Sequence, residues 1–223
     1  VASIDINVNN IVAMADNIGS RPIIVKGGVV KSINQFFNKE RARLMSAKDK
    51  QGYTHWTKKL TKLSLVRYNK LHDVFHKLSR NIVEHCVEND IGTLVIGYNA
   101  TWKQEVNMGK RNNQNFVSIP FLMLIDKIQY KAELIGIHVI LQEESYTSKC
   151  SFLDREDIGW HYQYKGLRLD HLKKRGLFRA SDGRIINADI NAALNIMRKA
   201  IPNVKFAKGI EDIVLRPRCV SWY

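Results

Sequence analysis

The first thirty residues constrain the fold more than any other stretch. Three short apolar runs follow one another there, "VASIDINV", "NNIVAMADN" and "RPIIVKGGVV", with Asn9-Asn10 and Asn17-Ile18-Gly19 as turn signals between them. Turns of a few residues can join antiparallel neighbours, whereas a parallel return needs a dozen residues or more. The runs therefore predict three strands in an antiparallel meander. In the first, Ala2, Ile4, Ile6 and Val8 share one face, and Ser3, Asp5 and Asn7 share the other. Asp5 is expected mid-strand, where propensity disfavours Asp.

Beyond the meander the period changes. From about Lys31 to Asp90 the pattern is helical, with Leu60, Leu63, Leu71, Val74, Leu78, Ile82 and Val83 on one apolar stripe. "GTLVIGYN", residues 92–99, predicts a buried strand. Residues 117–135 predict a helix that Gly136 stops, and "IHVILQEE" is the next strand. Strand, helix and strand in that order predict a parallel crossover. "LFRASDGRIIN" reads as a hairpin around Asp182-Gly183, and "ADINAALNIMRKA" as a closing helix that ends before Pro202. A meander, helices and then parallel strands outline an α/β, RNase H-like mixed sheet. The 223 residues suit one such domain over 1–200, with a helical insertion at about 35–90 and a tail at 201–223.

Charge narrows the partners. Thirty-five Lys and Arg face 21 Asp and Glu, a formal +14. Thirteen of those bases lie between residues 31 and 80, against only Glu40, Asp49 and Asp73, so the excess sits on the helical insertion. Such an excess predicts a polyanionic partner. Tyr53 and Trp56, in the loop "QGYTHW", either stack on bases or belong to the core. Cys86, Cys150 and Cys219 are odd in number and far apart, a reduced, intracellular pattern. No apolar run approaches the roughly 20 residues of a membrane span, and nothing reads as a signal peptide. The chain opens on Val rather than Met, as a piece of a longer protein would. The expected location is the cytoplasm of a prokaryote, against the nucleoid.

Metal-assisted hydrolysis of a phosphodiester needs clustered hard oxygen ligands for Mg²⁺ or Mn²⁺, and two ions activate water and stabilise the leaving oxygen. Three acids are candidates for catalysis and metal binding. Asp5 lies on the polar face of the first strand. Asp189 opens the last helix, where the dipole favours an acid even without any chemistry. The third is Glu144 or Glu143; alternation groups Glu144 with Gln142, Ile140 and His138, the more polar face, and so favours it. A solvated strand end is the plain alternative for that pair.

Four separated stretches, "SIDINVNNIVAMADN", "GKRNNQNFVSIPF", "IQYKAELIGIHVILQEESYTSKCSFLD" and "GRIINADINAALNI", together resemble the OrfB/TnpB family of transposon-encoded proteins, relatives of type V CRISPR effectors. The resemblance covers almost the whole chain. It implies a RuvC-like nuclease domain that cuts DNA chosen by pairing to a bound guide RNA, with acids at Asp5, a middle glutamate and Asp189. In the common pattern that glutamate follows the strand written here "LVIGYN", where this chain has Gly97. A subset of relatives, with the eukaryotic Fanzor proteins, carries it just before T-S-K, which here is Glu144, three residues ahead of Thr147. The resemblance also implies phosphate contacts by Lys110, Arg111 and Asn112, with Gln114 and Asn115 orienting the site. Relatives place zinc-binding C-x-x-C pairs after T-S-K and before the last Asp. The counterparts here, Ser151, Asp154, Arg179 and Asp182, include no Cys or His, so a degenerate, zinc-free ribbon is expected over about 149–185. Phe152, Leu153, Trp160 and Tyr162 are expected to hold it, and its seven bases from Lys165 to Arg184, Arg168, Lys173, Lys174 and Arg175 among them, to lie along DNA. The family's N-terminal half, for guide RNA and target motif, has no counterpart. The leading expectation is a metal-dependent DNA endonuclease domain. The alternatives are a catalytically inactive nucleic-acid-binding accessory protein, with Gly97 in its favour, and, more distantly, a strand-transferring transposase.

Overall fold

The computed structural model describes residues 1–99, 119–169 and 176–223. The meander forms as the turn spacing predicts. β1 (Ala2–Asp5) pairs antiparallel with β2 (Asn10–Asp16), and β2 with β3 (Ile23–Lys26). Asp5 is the last residue of β1 rather than its middle. The third strand is also shorter than expected, because Gly28–Val30 already belong to a helix. That helix, α1 (Gly28–Lys50), packs against α2 (Lys58–Glu88) as a helical pair. Thr57 caps α2, its side chain accepting from the Leu60 amide. Leu60, Leu71, Val74, Leu78, Ile82 and Val83 of the expected stripe are buried, joined by Phe75. Tyr53 and Trp56 are exposed, which removes them from the core.

β4 (Thr93–Tyr98) runs parallel to β1, α3 (Phe121–Leu134) follows, and β5 (His138–Glu143) runs parallel to β4. Gly136 adopts a left-handed conformation, φ +80°, which ends α3 cheaply because glycine has no Cβ to clash. β6 (Leu167–Arg168), β7 (Leu177–Arg179) and β8 (Ile185–Asn187) make a small antiparallel sheet, β7 and β8 being the expected hairpin. α4 (Ala188–Ala200) is the closing helix. The stretch read as a tail instead adds α5 (Ile210–Ile213) and β9 (Arg218–Val220), the latter paired parallel to β3. The main sheet is therefore ordered β5-β4-β1-β2-β3-β9.

Two cores sit on its two faces. Ala2, Ile4, Ile6 and Met14 face Phe75, Leu78 and Ile82 of α2 and Leu124, Ile125 and Ile128 of α3. Ala13, Ala15 and Ile24 face Ile190 and Leu194 of α4, together with Phe152, Phe178 and Ile186 of the ribbon. Small residues on this second face let α4 lie close, and the Ser3 hydroxyl donates to the Ala193 carbonyl at 2.6 Å. The polar face of β1 is thus turned towards α4.

The ribbon is held differently from expectation. Phe152 and Leu153 are buried, but Trp160 and Tyr162 are 70% and 96% exposed and hold nothing. A buried carboxylate does that work. Glu156 accepts from the Ser151 and Lys165 amides, both at 2.8 Å. Asp154 accepts from the Ser181 amide at 3.0 Å and from its hydroxyl, joining the two arms of the ribbon. Partial burial works to raise the Asp154 carboxyl, but the hydrogen bonds from Ser151 and Ser181 outweigh it and hold the group below its usual range. Cys86 and Cys150 are buried and Cys219 exposed, all three as free thiols. Among the described residues no helix is long and apolar enough to cross a membrane.

Candidate active site

β1, β4 and β5 are parallel, so their C-terminal ends meet at one edge of the sheet, where ligand crevices of α/β folds lie. Asp5 ends β1, Glu143 ends β5, and Glu144 is the next residue. α4 starts over the same edge. Its cap is Asn187, whose side chain accepts from the Asp189 and Ile190 amides at 3.0 and 3.2 Å. Asp189 is therefore relieved of capping, and its carboxylate points back to the sheet. Asn10 donates to one oxygen at 2.6 Å and Asn7 to the other at 3.3 Å. Both Asp5 and Asp189 are buried, at 8% and 5% exposure.

Electrostatics tie the three acids together. Burial pushes the Asp5 carboxyl well above its ordinary value; the charges of Asp189 and then Glu144 push the same way, and Arg168 of β6 pulls against them. Sequence reasoning had counted Arg168 only among the ribbon's bases. A Cβ cannot be added at Gly166 without meeting the Phe178 ring at 2.3 Å, so that glycine lets β6 lie against β7 and carries Arg168 to the site.

The two glutamates part company. Glu143 accepts from the Ser145 amide and hydroxyl at 2.6 and 2.7 Å and pairs with Lys199 of α4 at 2.7 Å. Partial burial works to raise its carboxyl, but the bonds from Lys199 and Ser145 prevail and hold it low. Glu144 instead reaches the neighbourhood of Gly97. A Cβ built at Gly97 would stand 3.2 Å from Glu144 Oε2 and 2.5 Å from Ile196 Cδ1. The missing side chain at 97 thus leaves the room that the Glu144 carboxylate borders. The turn after Glu144 is pinned to α4: Asn195 donates to the Thr147 and Cys150 carbonyls at 2.9 and 2.7 Å. Asn191 donates to the Cys150 carbonyl at 2.8 Å and accepts from the Phe152 amide at 2.9 Å. Asn187, Asn191 and Asn195 recur every four residues from the cap through the mostly apolar middle of α4. That spacing was the available signal for a polar seam.

Three carboxylates at one edge have the donor chemistry that Mg²⁺ or Mn²⁺ takes, and the raised Asp5 carboxyl marks a place that would gain from a cation. Among the described residues, however, no group of three or more His, Cys, Asp and Glu side chains stands arranged to hold a metal ion. Like charges repel, so the set is adjacent without being closed; each Asp189 oxygen accepts one asparagine N–H and keeps a second lone pair for a cation. Lys110, Arg111, Asn112, Gln114 and Asn115 lie outside the described residues, as do Lys173, Lys174 and Arg175.

Residues 1–103 match the OrfB_IS605 family model, a probable transposase, and residues 121–196 match the Cas12f1-like TNB domain. The TnpB-like protein ORF457 of Acidianus two-tailed virus is 23% identical over 210 residues, covering 90% of this chain and 42% of the viral protein. The cryo-EM structure of a Cas12f1–sgRNA–target DNA complex superposes with a TM-score of 0.66 at 18% identity, over 90% of this chain and 50% of that one. A CRISPR-Cas12f ternary complex gives 0.69 at 19% identity, over 93% and 39%. The chain spans half or less of the length of each of these relatives.

Proposed function

Because this chain belongs to the OrfB/TnpB-like family, with a Cas12f1-like TNB domain in its second half, we propose that it is the metal-dependent DNA endonuclease part of a transposon-associated, RNA-guided protein. The observation that carries the reading is the electrostatic union of Asp5, Asp189 and Glu144 at one sheet edge. These three residues would hold two divalent ions, Mg²⁺ or Mn²⁺, which when bound activate a water and stabilise the leaving oxygen. Glu144 takes the place of the middle acid because Glu143 is engaged by Lys199 and Ser145. Arg168, already offsetting the negative charge at Asp5, suits a phosphate drawn to the same edge. The solved Cas12f1 complex carries sgRNA and target DNA, and a guide RNA and a DNA target are the partners proposed for the protein to which this chain belongs. The ribbon, with Ser151, Asp154, Arg179 and Asp182 where relatives place zinc ligands and Asp154 accepting from the Ser181 amide, is proposed to work without zinc.

A second reading, an inactive nucleic-acid-binding protein, draws on the open arrangement of the acids. Nicking of supercoiled plasmid in Mn²⁺ separates the two. Wild type and Glu143→Gln are expected to nick, and Asp5→Ala and Glu144→Gln to fall to background, with DNA binding kept in all four. Equal nicking by wild type and Asp5→Ala would remove Asp5 from the chemistry. Equal nicking by Glu144→Gln would return the middle acid to Glu143.

A further inference from the structure

The carboxylate of Asp189 does not stand alone, and its support reaches across the sheet to a residue outside the acidic set. Asn10 and Lys26 are directly opposed on β2 and β3, so their side chains share a face. Lys26 Nζ donates to Asn10 Oδ1 at 3.0 Å. A lysine can only donate, so Asn10 must turn its carbonyl oxygen to Lys26 and its NH₂ to Asp189 Oδ2, 2.6 Å away. Asn7 is set the same way: the Val8 amide donates to Asn7 Oδ1 at 2.6 Å, which leaves the Asn7 NH₂ for Asp189 Oδ1. Both amides thus present N–H groups to one carboxylate, one on each oxygen, and fix its rotation. Asn10 is 6% exposed, so a flipped amide would set its oxygen against a buried acid.

We propose that Asn10, oriented by Lys26 and assisted by Asn7, is a positioning residue that sets the Asp189 carboxylate for a divalent ion. This rests on the reading of Asp189 as a metal ligand. Ligating carboxylates work best when outer hydrogen bonds hold them, and loss of such partners costs about 10- to 100-fold in metal affinity. Asn10 is buried and makes the short bond, while Lys26 is exposed and acts through Asn10, which orders the expected effects.

The test is a Mn²⁺ titration followed by the EPR signal of free ion, with no DNA present, on this chain and its variants. Melting curves in EDTA accompany it. Asn10→Ala is expected to weaken Mn²⁺ binding by about 10- to 100-fold. Lys26→Met is expected to weaken it less, and Lys26→Arg to restore it. Lys26 is on the surface, so Lys26→Met keeps the proposal testable if Asn10→Ala fails to fold. Asp189→Ala is the control for the underlying reading. If Asp189→Ala binds Mn²⁺ like wild type, the metal reading itself is wrong. If Asp189→Ala loses binding while Asn10→Ala and Lys26→Met titrate like wild type, the metal reading stands and the positioning role is overturned. Failure of Lys26→Arg to restore what Lys26→Met loses also overturns the part assigned to Lys26.

Discussion

Asp5 shows at the scale of one residue what a candidate site costs the fold. Its carboxyl is buried beside Asp189 and Glu144 and is raised well above its ordinary value. A group raised in the folded state binds its proton more tightly there than in the unfolded chain. Its contribution is therefore fully favourable below the ordinary carboxylate range and is lost as pH climbs through the raised folded value. In EDTA, Asp5→Asn is expected to melt a few degrees above wild type at neutral pH, with the gain gone near pH 4, because the amide mimics the protonated acid at every pH. Thermal melts across pH 4–8 measure this, and an Asp5→Asn gain that ignores pH would contradict it. Alternation alone had grouped Asp5 with Ser3 and Asn7, and that face does meet α4, through Ser3 on Ala193 and Asn7 on Asp189. Alternation also grouped Glu144 with the more polar face of its strand. The bond that engages Glu143 was not legible, since Lys199 lies 56 residues away in the chain.

At the scale of elements, hydrogen bonds to Glu156 and Asp154 join the arms of the ribbon. Glu156 satisfies two backbone amides, of Ser151 and Lys165, fourteen residues apart along the ribbon, and Arg198 of α4 donates to its carbonyl at 3.0 Å. Glu156→Ala would strand those amides, each worth about 1–3 kcal/mol when left unpaired. A loss of about 2 kcal/mol or more is expected, roughly 4–8 °C in melting temperature for a chain of this size. A zinc chelator should leave the wild-type melt where it was; a drop on chelation would mean that a metal holds the ribbon. The absence of cysteine pairs was legible in the sequence. The aromatic alternative, Trp160 and Tyr162, was not realised, because large apolar residues are free to stay on the surface where no element covers them. Glu156 looked like one more solvated acid until the ribbon closed around it.

For the whole molecule, the formal charge of +14 is concentrated on the α1–α2 pair, where thirteen bases face five acids. Lys58, Lys59 and Lys62 are exposed at the start of α2, close in sequence to exposed Tyr53 and Trp56. Binding to a DNA or RNA duplex should weaken steeply with salt. Changing those three lysines to Gln should lower the slope of log affinity against log salt by about 3, near 0.9 for each phosphate no longer neutralised. Fluorescence anisotropy between 50 and 200 mM salt reads that slope, and an unchanged slope would place the nucleic acid on another face.

What the sequence determined by itself was local. Period-two and helical patterning set the meander, the parallel crossover, the hairpin and the closing helix, because those signals are read within a dozen residues. It also set the polar face of β1 and put Asp189 at the opening of the last helix; that Asn187 caps that helix instead was decided by the structure. Only the tertiary structure decided that Asp5, Glu144 and Asp189 share a field, that Arg168 opposes it, and that Lys26 reaches Asp189 through Asn10. Those interactions join residues up to 184 positions apart, Asp5 to Asp189, and depend on strand order and on the seat of α4. The physical reason is that side-chain direction follows from the local backbone, whereas electrostatic and hydrogen-bond partners follow from which backbones the packed sheet brings side by side.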